Sequence, residues 1–327
     1  MLCLQIQEMK LTMSEQLLCT VKGSVSLTFI DPEAGVIIDA VSVGEADIAK
    51  PHEIVLSADG GLAFVSIYGS ADYGRNQSDN RIAVVDLAQR QLIRHIDLDI
   101  YRAPHALARD AKDRIWVTVE ESQSALVINP ESFDIERCVW MQVPVHFIAT
   151  HPSRERLFFA HKQYPFITEV DATSDQVAAR IDLPVGAQAI STSPDGAMLY
   201  VGDFHRPLMH VIDLSTRKLT RTVPLAGVPG WPYPTPDGRH VIVTTWIEAE
   251  ARGFIELLET ESLTPRHVIE IDAEPFHALA AADGRHLYVV LGTGHIAVVD
   301  LESGELERKI DVGGSMPEAV IHLPDGN

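Results

Sequence analysis

The sequence predicts an all-β chain in which seven four-stranded units close into a ring. Three observations carry this. A marker recurs seven times, with an apolar alternating run ending in an acidic or Asn residue, a polar turn and a second β-rich run. A strand–turn–strand motif lies between successive markers. The chain also stops one strand into a unit that its beginning leaves incomplete. Four-stranded units of about 40 residues are the blades of a β-propeller.

The marker residues are Asp31, Asp86, Asn129, Asp171, Asp213, Glu259 and Asp300, separated by 55, 43, 42, 42, 46 and 41 positions. SLTFIDPEAGVIIDAVSV and IAVVDLESGELERKIDV are the first and last copies. The intervening motif reads LSADGGLAFVS, RDAKDRIWVTV, THPSRERLFFA, TSPDGAMLYVG, PTPDGRHVIVT and AAADGRHLYVV. Its Asp-Gly turns supply the positive φ of a tight hairpin. No segment holds a 3.6-residue apolar period, which excludes an α-solenoid.

EAVIHLPDGN at the C-terminus is an inner strand plus its turn, and LLCTVKGS near the N-terminus is a second strand. Residues 318–327 therefore complete the blade begun by 14–46, leaving no long sheet edge. Blades 2–7 are expected at 47–103, 104–145, 146–187, 188–230, 231–275 and 276–317, with residues 1–13 as a tail.

The run SPDGAMLYVGDF followed by MHVIDLSTRKLTRTVPL resembles the YVTN-type repeats of bacterial seven-bladed propellers. These are the YncE-like and surface-layer-like proteins, close in shape to lactonase-type propellers and virginiamycin B lyase. The resemblance covers about residues 17–327. It implies the fold strongly and the function weakly, because such propellers include enzymes, cofactor holders and binding platforms.

Composition narrows the partners. With 26 Lys+Arg against 46 Asp+Glu, the formal charge of -20 repels phosphate backbones and anionic lipid. No nucleic-acid or membrane partner is expected, and no apolar run is long enough to span a bilayer. Cys3, Cys19 and Cys138 are too scattered for a disulfide framework or a zinc knuckle. Without a secretory signal pattern, the expected location is cytoplasmic. No G-x-S-x-G elbow, P-loop or C-x-x-C is present. The sequence leaves the oligomeric state open.

Inner strands of a propeller line its channel. Aligned on apolar alternation, their opening positions hold Glu318, His52, His105, His146, Gln188, Trp231 and His277 in ring order. Counting back from the turn would instead put Gly230 and Phe276 in the last two blades. The alternation is followed here, with His52, His105, His146 and Glu318 as the firmer set. Neutral imidazoles with a carboxylate suit a divalent transition metal such as Fe, Cu, Zn or Mn. The expected metal set is His52, His105, His146, His277 and Glu318, with Gln188 and Trp231 leaving room for substrate. The plainer alternative is a polar channel whose histidines bond backbone or water.

The rim adds candidates. The long loop 67–81, with Tyr73 and Arg75, suits a lid or specificity element, or a tolerated insertion. Other strand ends bring Lys162 and His295. His161 and His205 are candidates for proton transfer alongside Glu318, or for donors to an anion. Trp246 would join Trp231 as an apolar wall, or pack in the core. The expected function is a metal-dependent enzyme acting on a small organic molecule at the channel mouth. Hydrolase or lyase chemistry would use Zn, Mn or Mg, and oxygenase or oxidase chemistry would use Fe or Cu. The alternative is a non-catalytic YncE-like platform that binds a ligand or a protein.

Overall fold

A computed structural model describes residues 15–45, 49–69 and 77–324. The described residues form seven antiparallel four-stranded sheets and almost no helix. Six sheets take four consecutive strands. The seventh places Pro317–Leu323 beside Gln16–Val21, followed by Ser26–Asp31 and Val36–Ser42. The pairing Cys19↔Val320 stitches the two ends of the chain into one blade. Pro317–Leu323 also lies against Pro51–Leu56 and Pro275–Ala280, so the ring closes. The fold is a seven-bladed β-propeller.

The repeated motifs have local causes. At the blade turns, Gly60, Gly196, Gly238 and Gly284 adopt φ of 73°, 72°, 71° and 67°, a region glycine enters without penalty. The Ser57, Ser193 and Thr235 hydroxyls donate to Asp59, Asp195 and Asp237 at 2.6 Å, closing the same turn. The marker carboxylates accept backbone N–H groups after the third strand. Asp86 takes Gln89, Asp213 takes Ser215 and Thr216, and Asp300 takes Glu302 and Ser303. Each satisfies donors that the turn strips from the ladder.

Between blades, sheet packs on sheet through the apolar residues of the two central strands. Trp116, Phe29, Phe64, Phe158 and Phe159 are fully buried there. The inner strand is the edge of its sheet, so Pro51, Pro104, Pro229, Pro275 and Pro317 cost it no ladder bond that a central strand would need.

Candidate functional site

One irregularity positions the site. Each inner strand carries a bulge near its start, where two residues face one on the neighbouring strand. His52 and Glu53 lie between the pairs Pro51↔Ile67 and Ile54↔Val65, opposite Ser66. The corresponding pairs are His105–Ala106, Gln188–Ala189, Gly230–Trp231, Phe276–His277 and Glu318–Ala319. In blade 4, the His146 N–H donates to Ala160 O while Phe147 pairs with Ala160. A bulge re-aims side chains that strict alternation would send to opposite faces.

This settles the register. Gly230 and Phe276 occupy the position of His52, whereas Trp231 and His277 align with Glu53. The turn count, not the alternation, reads the last two inner strands correctly. Both bulge residues reach the channel, so the mismatch does not remove Trp231 or His277 from it. His52, Glu53, His105, His146, Phe147, Gln188, Trp231, Phe276, His277 and Glu318 all line one cavity of ≈ 120 Å³, together with Lys162.

The imidazoles of His52, His105 and His146 form a staircase. Successive ring centroids are 4.0 Å apart, each tilted by 46°, close to one-seventh of a full turn. Tyr68 leans on the first two rings at 5.7 and 5.5 Å. The Nδ1 atoms of His52, His105 and His146 and Oε1 of Gln188 are buried without a hydrogen bond. His146 Nδ1 stands 3.2 Å from Glu120 Oε1, near enough for attraction but off the hydrogen-bond direction. Glu120 Oε2 accepts from the Tyr68 hydroxyl at 2.8 Å.

Two carboxylates face the first step of the staircase. Glu53 Oε1 is 3.5 Å from His52 Nδ1 and 3.0 Å from His277 Nε2. Glu318 Oε1 is 3.6 Å from His52 Nε2, and its Oε2 accepts from Lys22 Nζ at 2.5 Å. One ligand atom from each of His52, Glu53 and Glu318 lies within 4.8 Å of the other two. His105, His146 and His277 join no such metal-sized group among the described residues. Glu53 does, and one residue per blade was too strict a rule to find it.

Electrostatics fixes the protonation of these groups. Burial works to raise Glu53, but His277 and then His52 hold it well below the usual carboxylate range. Burial likewise opposes the lowering of Glu318 that Lys22 and His52 bring about. Burial drives His105 far down, helped by its imidazole neighbours and Lys162. Burial and Lys162 push His146 down to about 4, against the pull of Glu120. Both imidazoles are thus neutral at pH 7 and able to bind a metal or donate one N–H.

Aromatic rings complete the lining. Trp231 stacks on His277 at 3.9 Å and donates from Nε1 to Ser191 Oγ at 3.0 Å. The Phe147 ring lies 6.0 Å from Trp231 and 6.3 Å from each of His105, His146 and His277. One phenyl ring is therefore reached from four blades.

The other rim candidates lie away from this cavity. His161 is fully buried, with Nδ1 2.8 Å from the Pro144 carbonyl and Nε2 2.9 Å from Thr168 Oγ1. The carbonyl can only accept, so Nδ1 carries the proton and Nε2 accepts from the threonine. His205 is exposed and rests on Phe204 at 4.7 Å. Trp246 pairs with Val228 and Gly253, and His295 Nδ1 is 3.3 Å from Thr293 Oγ1. Tyr73 and Arg75 fall outside the described residues. Glu53, Phe147 and Phe276 are the site residues that the alignment missed. The signal was present: Pro51 to Ile54 and Pro104 to Leu107 span three residues, an odd interval that alternation cannot satisfy.

Comparison with protein-family models finds no match, and comparison with curated proteins finds none. Solved structures do match. Hydrazine synthase of Kuenenia stuttgartiensis shares 16% identity at a TM-score of 0.69, over 83% of this chain and 89% of that one. The dihydro-heme d1 dehydrogenase NirN shares 14% at 0.67, over 95% and 75%. The periplasmic gluconolactonase PpgL of Pseudomonas aeruginosa shares 16% at 0.75, over 95% and 99%. At these identities the likenesses establish the seven-bladed β-propeller fold alone, and the chemistry of the channel has to be read from its own residues.

Proposed function

We propose that this propeller is a divalent-metal-dependent enzyme acting on a small organic molecule at the channel mouth. The observation that carries the reading is the convergence of His52, Glu53 and Glu318 ligand atoms within 4.8 Å beside a cavity. One imidazole and two carboxylates suit Mn, Zn or Fe(II) better than Cu(I), which prefers soft sulfur. Such an ion would polarise a substrate oxygen or lower the pKa of water.

The surrounding residues have definable tasks. His277 and Lys22 hold the two carboxylates ionised and oriented. Neutral His105 and His146 offer a proton donor or acceptor next to the metal position. Trp231, Phe147 and Phe276 add apolar surface to the same cavity and limit the water it can hold.

Elemental analysis of untagged protein tests the reading. The expected result is one Mn, Zn or Fe per chain, lost in Glu318→Gln and in His52→Ala. Wild-type protein that is metal-free and fails to bind any of these ions at millimolar concentration would overturn it. The second reading is a non-catalytic YncE-like binding propeller. It is favoured by one observation: Lys22 and His277 already partner the two carboxylates without an ion.

A further inference from the structure

We infer that Glu120 is the positioning residue of the channel. It fixes the proton of the His146 ring on Nδ1, so that His146 offers a bare Nε2 to the cavity as its proton acceptor, while His105 beside it offers an Nε2–H. The inference deepens the proposed function and rests on it for the reaction but not for the geometry.

Strand register places the carboxylate. Two residues beyond the one that opposes the bulge, blade 2 carries Tyr68 and blade 3 carries Glu120. Both stand behind the imidazoles and face the next blade. The Tyr68 ring meets His105 edge-on at 5.5 Å, and Glu120 Oε1 stands 3.2 Å from His146 Nδ1. Between His105 and His146, only the second has a carboxylate behind its ring. Glu120 is 1% exposed and opens the short turn Glu120–Ser122, where its N–H donates to Ala103 O. Its Oε2 accepts from the Tyr68 hydroxyl at 2.8 Å, which leaves Oε1 for the imidazole.

The two nitrogens of each ring have different surroundings. In His105 and His146, Nδ1 is shut off from solvent, whereas Nε2 is not and has no hydrogen-bond partner among the described residues. Both residues line the cavity, so Nε2 is the nitrogen each shows to it. A carboxylate oxygen at 3.2 Å repels a lone pair on His146 Nδ1 and attracts an N–H there, even off the ideal direction. Contacts of this kind align fully only in the ligand complex. Burial works to raise Glu120, but His146, then Lys162 and Tyr68, hold it below the usual carboxylate range. His105 has no acceptor at Nδ1. A buried N–H without an acceptor is the rarer orphan, so the proton of His105 belongs on Nε2, where the cavity can take it.

Two nitrogens of opposite sense, on rings 4.0 Å apart, fit a group that gives one hydrogen bond and takes one. Water or a substrate hydroxyl is such a group. In the proposed reaction its O–H proton passes to His146 Nε2, and the electron pair of the broken bond stays on the oxygen that attacks the substrate. The resulting imidazolium keeps Nδ1–H toward Glu120, which remains ionised. The proton then goes to the leaving group, which restores the imidazole.

The test uses the full chain, labelled with ¹⁵N in its imidazoles and treated with chelator, and reads each tautomer by nitrogen NMR near neutral pH. His146 is expected as Nδ1–H and His105 as Nε2–H. Glu120→Leu should move His146 to Nε2–H and leave His105 in place. Losing one hydrogen bond to a charged group implies a change of about tenfold or more in the His146 tautomer ratio. Glu120→Asp, which keeps a carboxylate, should retain part of the Nδ1–H form. A merely structural Glu120 would not invert one ring and spare its neighbour. Diethyl pyrocarbonate, which acylates a bare imidazole nitrogen, reads the same pair by peptide mass spectrometry. Wild-type His146 should react about tenfold faster than His105, and Glu120→Leu should cancel the difference. The same tautomer in both wild-type rings, an unchanged His146 tautomer in Glu120→Leu, or a wild-type His146 that reacts no faster than His105 overturns the inference. If Glu120→Leu does not fold, the two wild-type comparisons decide. Both readouts are taken without metal, so failure to bind Mn, Zn or Fe would overturn the proposed function alone. Matching tautomers in a protein that does bind metal would overturn this inference alone.

Discussion

The two arcs of the ring solve the same bulge differently. In blades 1 to 3 the residue opposite the bulge is a hydroxyl that reaches the next blade. Thr20 accepts from Ala319 N at 3.0 Å and donates to His52 O at 2.6 Å. Ser66 accepts from Glu53 N and donates to His105 O at 2.6 Å. Thr118 accepts from Ala106 N and donates to His146 O at 3.0 Å. Three hydroxyls thus fasten the backbones of the three stacked histidines in series. From blade 4 onward the opposing residues are Ala160, Gly202, Thr244 and Val290. Thr244 returns its bond to Trp231 in its own blade. The first arc fixes imidazoles through the backbone, and the second fixes Trp231 and His277 by packing and by the contact with Glu53. Rigid polar presentation on one side and an aromatic wall on the other is what a small ligand site needs.

The sharpest way to break this division is to remove the contact that crosses it. His277 of the second arc reaches Glu53 of the first at 3.0 Å, and both are buried. Replacing His277 by Leu leaves a buried carboxylate with only His52 nearby. Leaving a buried carboxylate without its partner costs about 3–5 kcal/mol. Urea unfolding of metal-free protein should show a loss of that size for His277→Leu. The double variant Glu53→Leu/His277→Leu should regain most of it, because no charge is stranded.

The arcs differed in legibility for a physical reason. Blade count, turn chemistry and ring closure were readable because they repeat, and repetition averages out local exceptions. In the first arc His52, His105 and His146 were readable too, since each is the first residue of its bulge and directly follows Pro51, Pro104 or Val145. In the second arc the large side chain moves to the second bulge position, as at Trp231 and His277, so alternation misplaced the register by one. Glu53 and Phe147 were invisible to any rule that allots one channel residue per strand, and Phe276 was visible only to the turn count. Lys162 was readable only as a rim residue, because its place beside the histidines comes from the stacking of blades and not from spacing.

Blade 4 marks the seam, and pH probes it. Ala160 cannot provide the hydroxyl staple, and next to it His161 ties Pro144 O to Thr168 Oγ1 instead. Burial lowers His161 to about 4, although the Pro144 carbonyl pulls the other way. The unfolded imidazole takes its proton near its ordinary value of about 6.5, and the folded one only near the lowered value. As pH falls through that window the unfolded chain binds the extra proton, so stability is full above it and declines below. A drop of that size is worth at most roughly 3 kcal/mol. His161→Gln should remove this part of the decline between pH 6.5 and 4 in denaturant titrations. An unchanged slope would show that the seam is not held by a neutral imidazole.

The smallest expected effect separates the arcs most directly. Thr118→Val keeps the shape but strands two buried groups, Ala106 N–H and His146 C=O, in different blades. Each unsatisfied group costs about 1–3 kcal/mol, partly recovered by relaxation, so a loss of about 2 kcal/mol is expected. Thr244→Val strands only the Trp231 N–H within one blade, since its other bond is long at 3.4 Å, and should lose about 1 kcal/mol. Stability alone would be a weak discriminator at that difference. The accompanying readout is the tautomer and ring environment of His105 and His146 by imidazole nitrogen NMR. Thr118→Val should shift those resonances, because the carbonyl that holds the His146 backbone loses its donor. Thr244→Val should leave them in place. If both variants move the histidine signals alike, the hydroxyls do not hold the staircase, and the two arcs are one structure with different side chains.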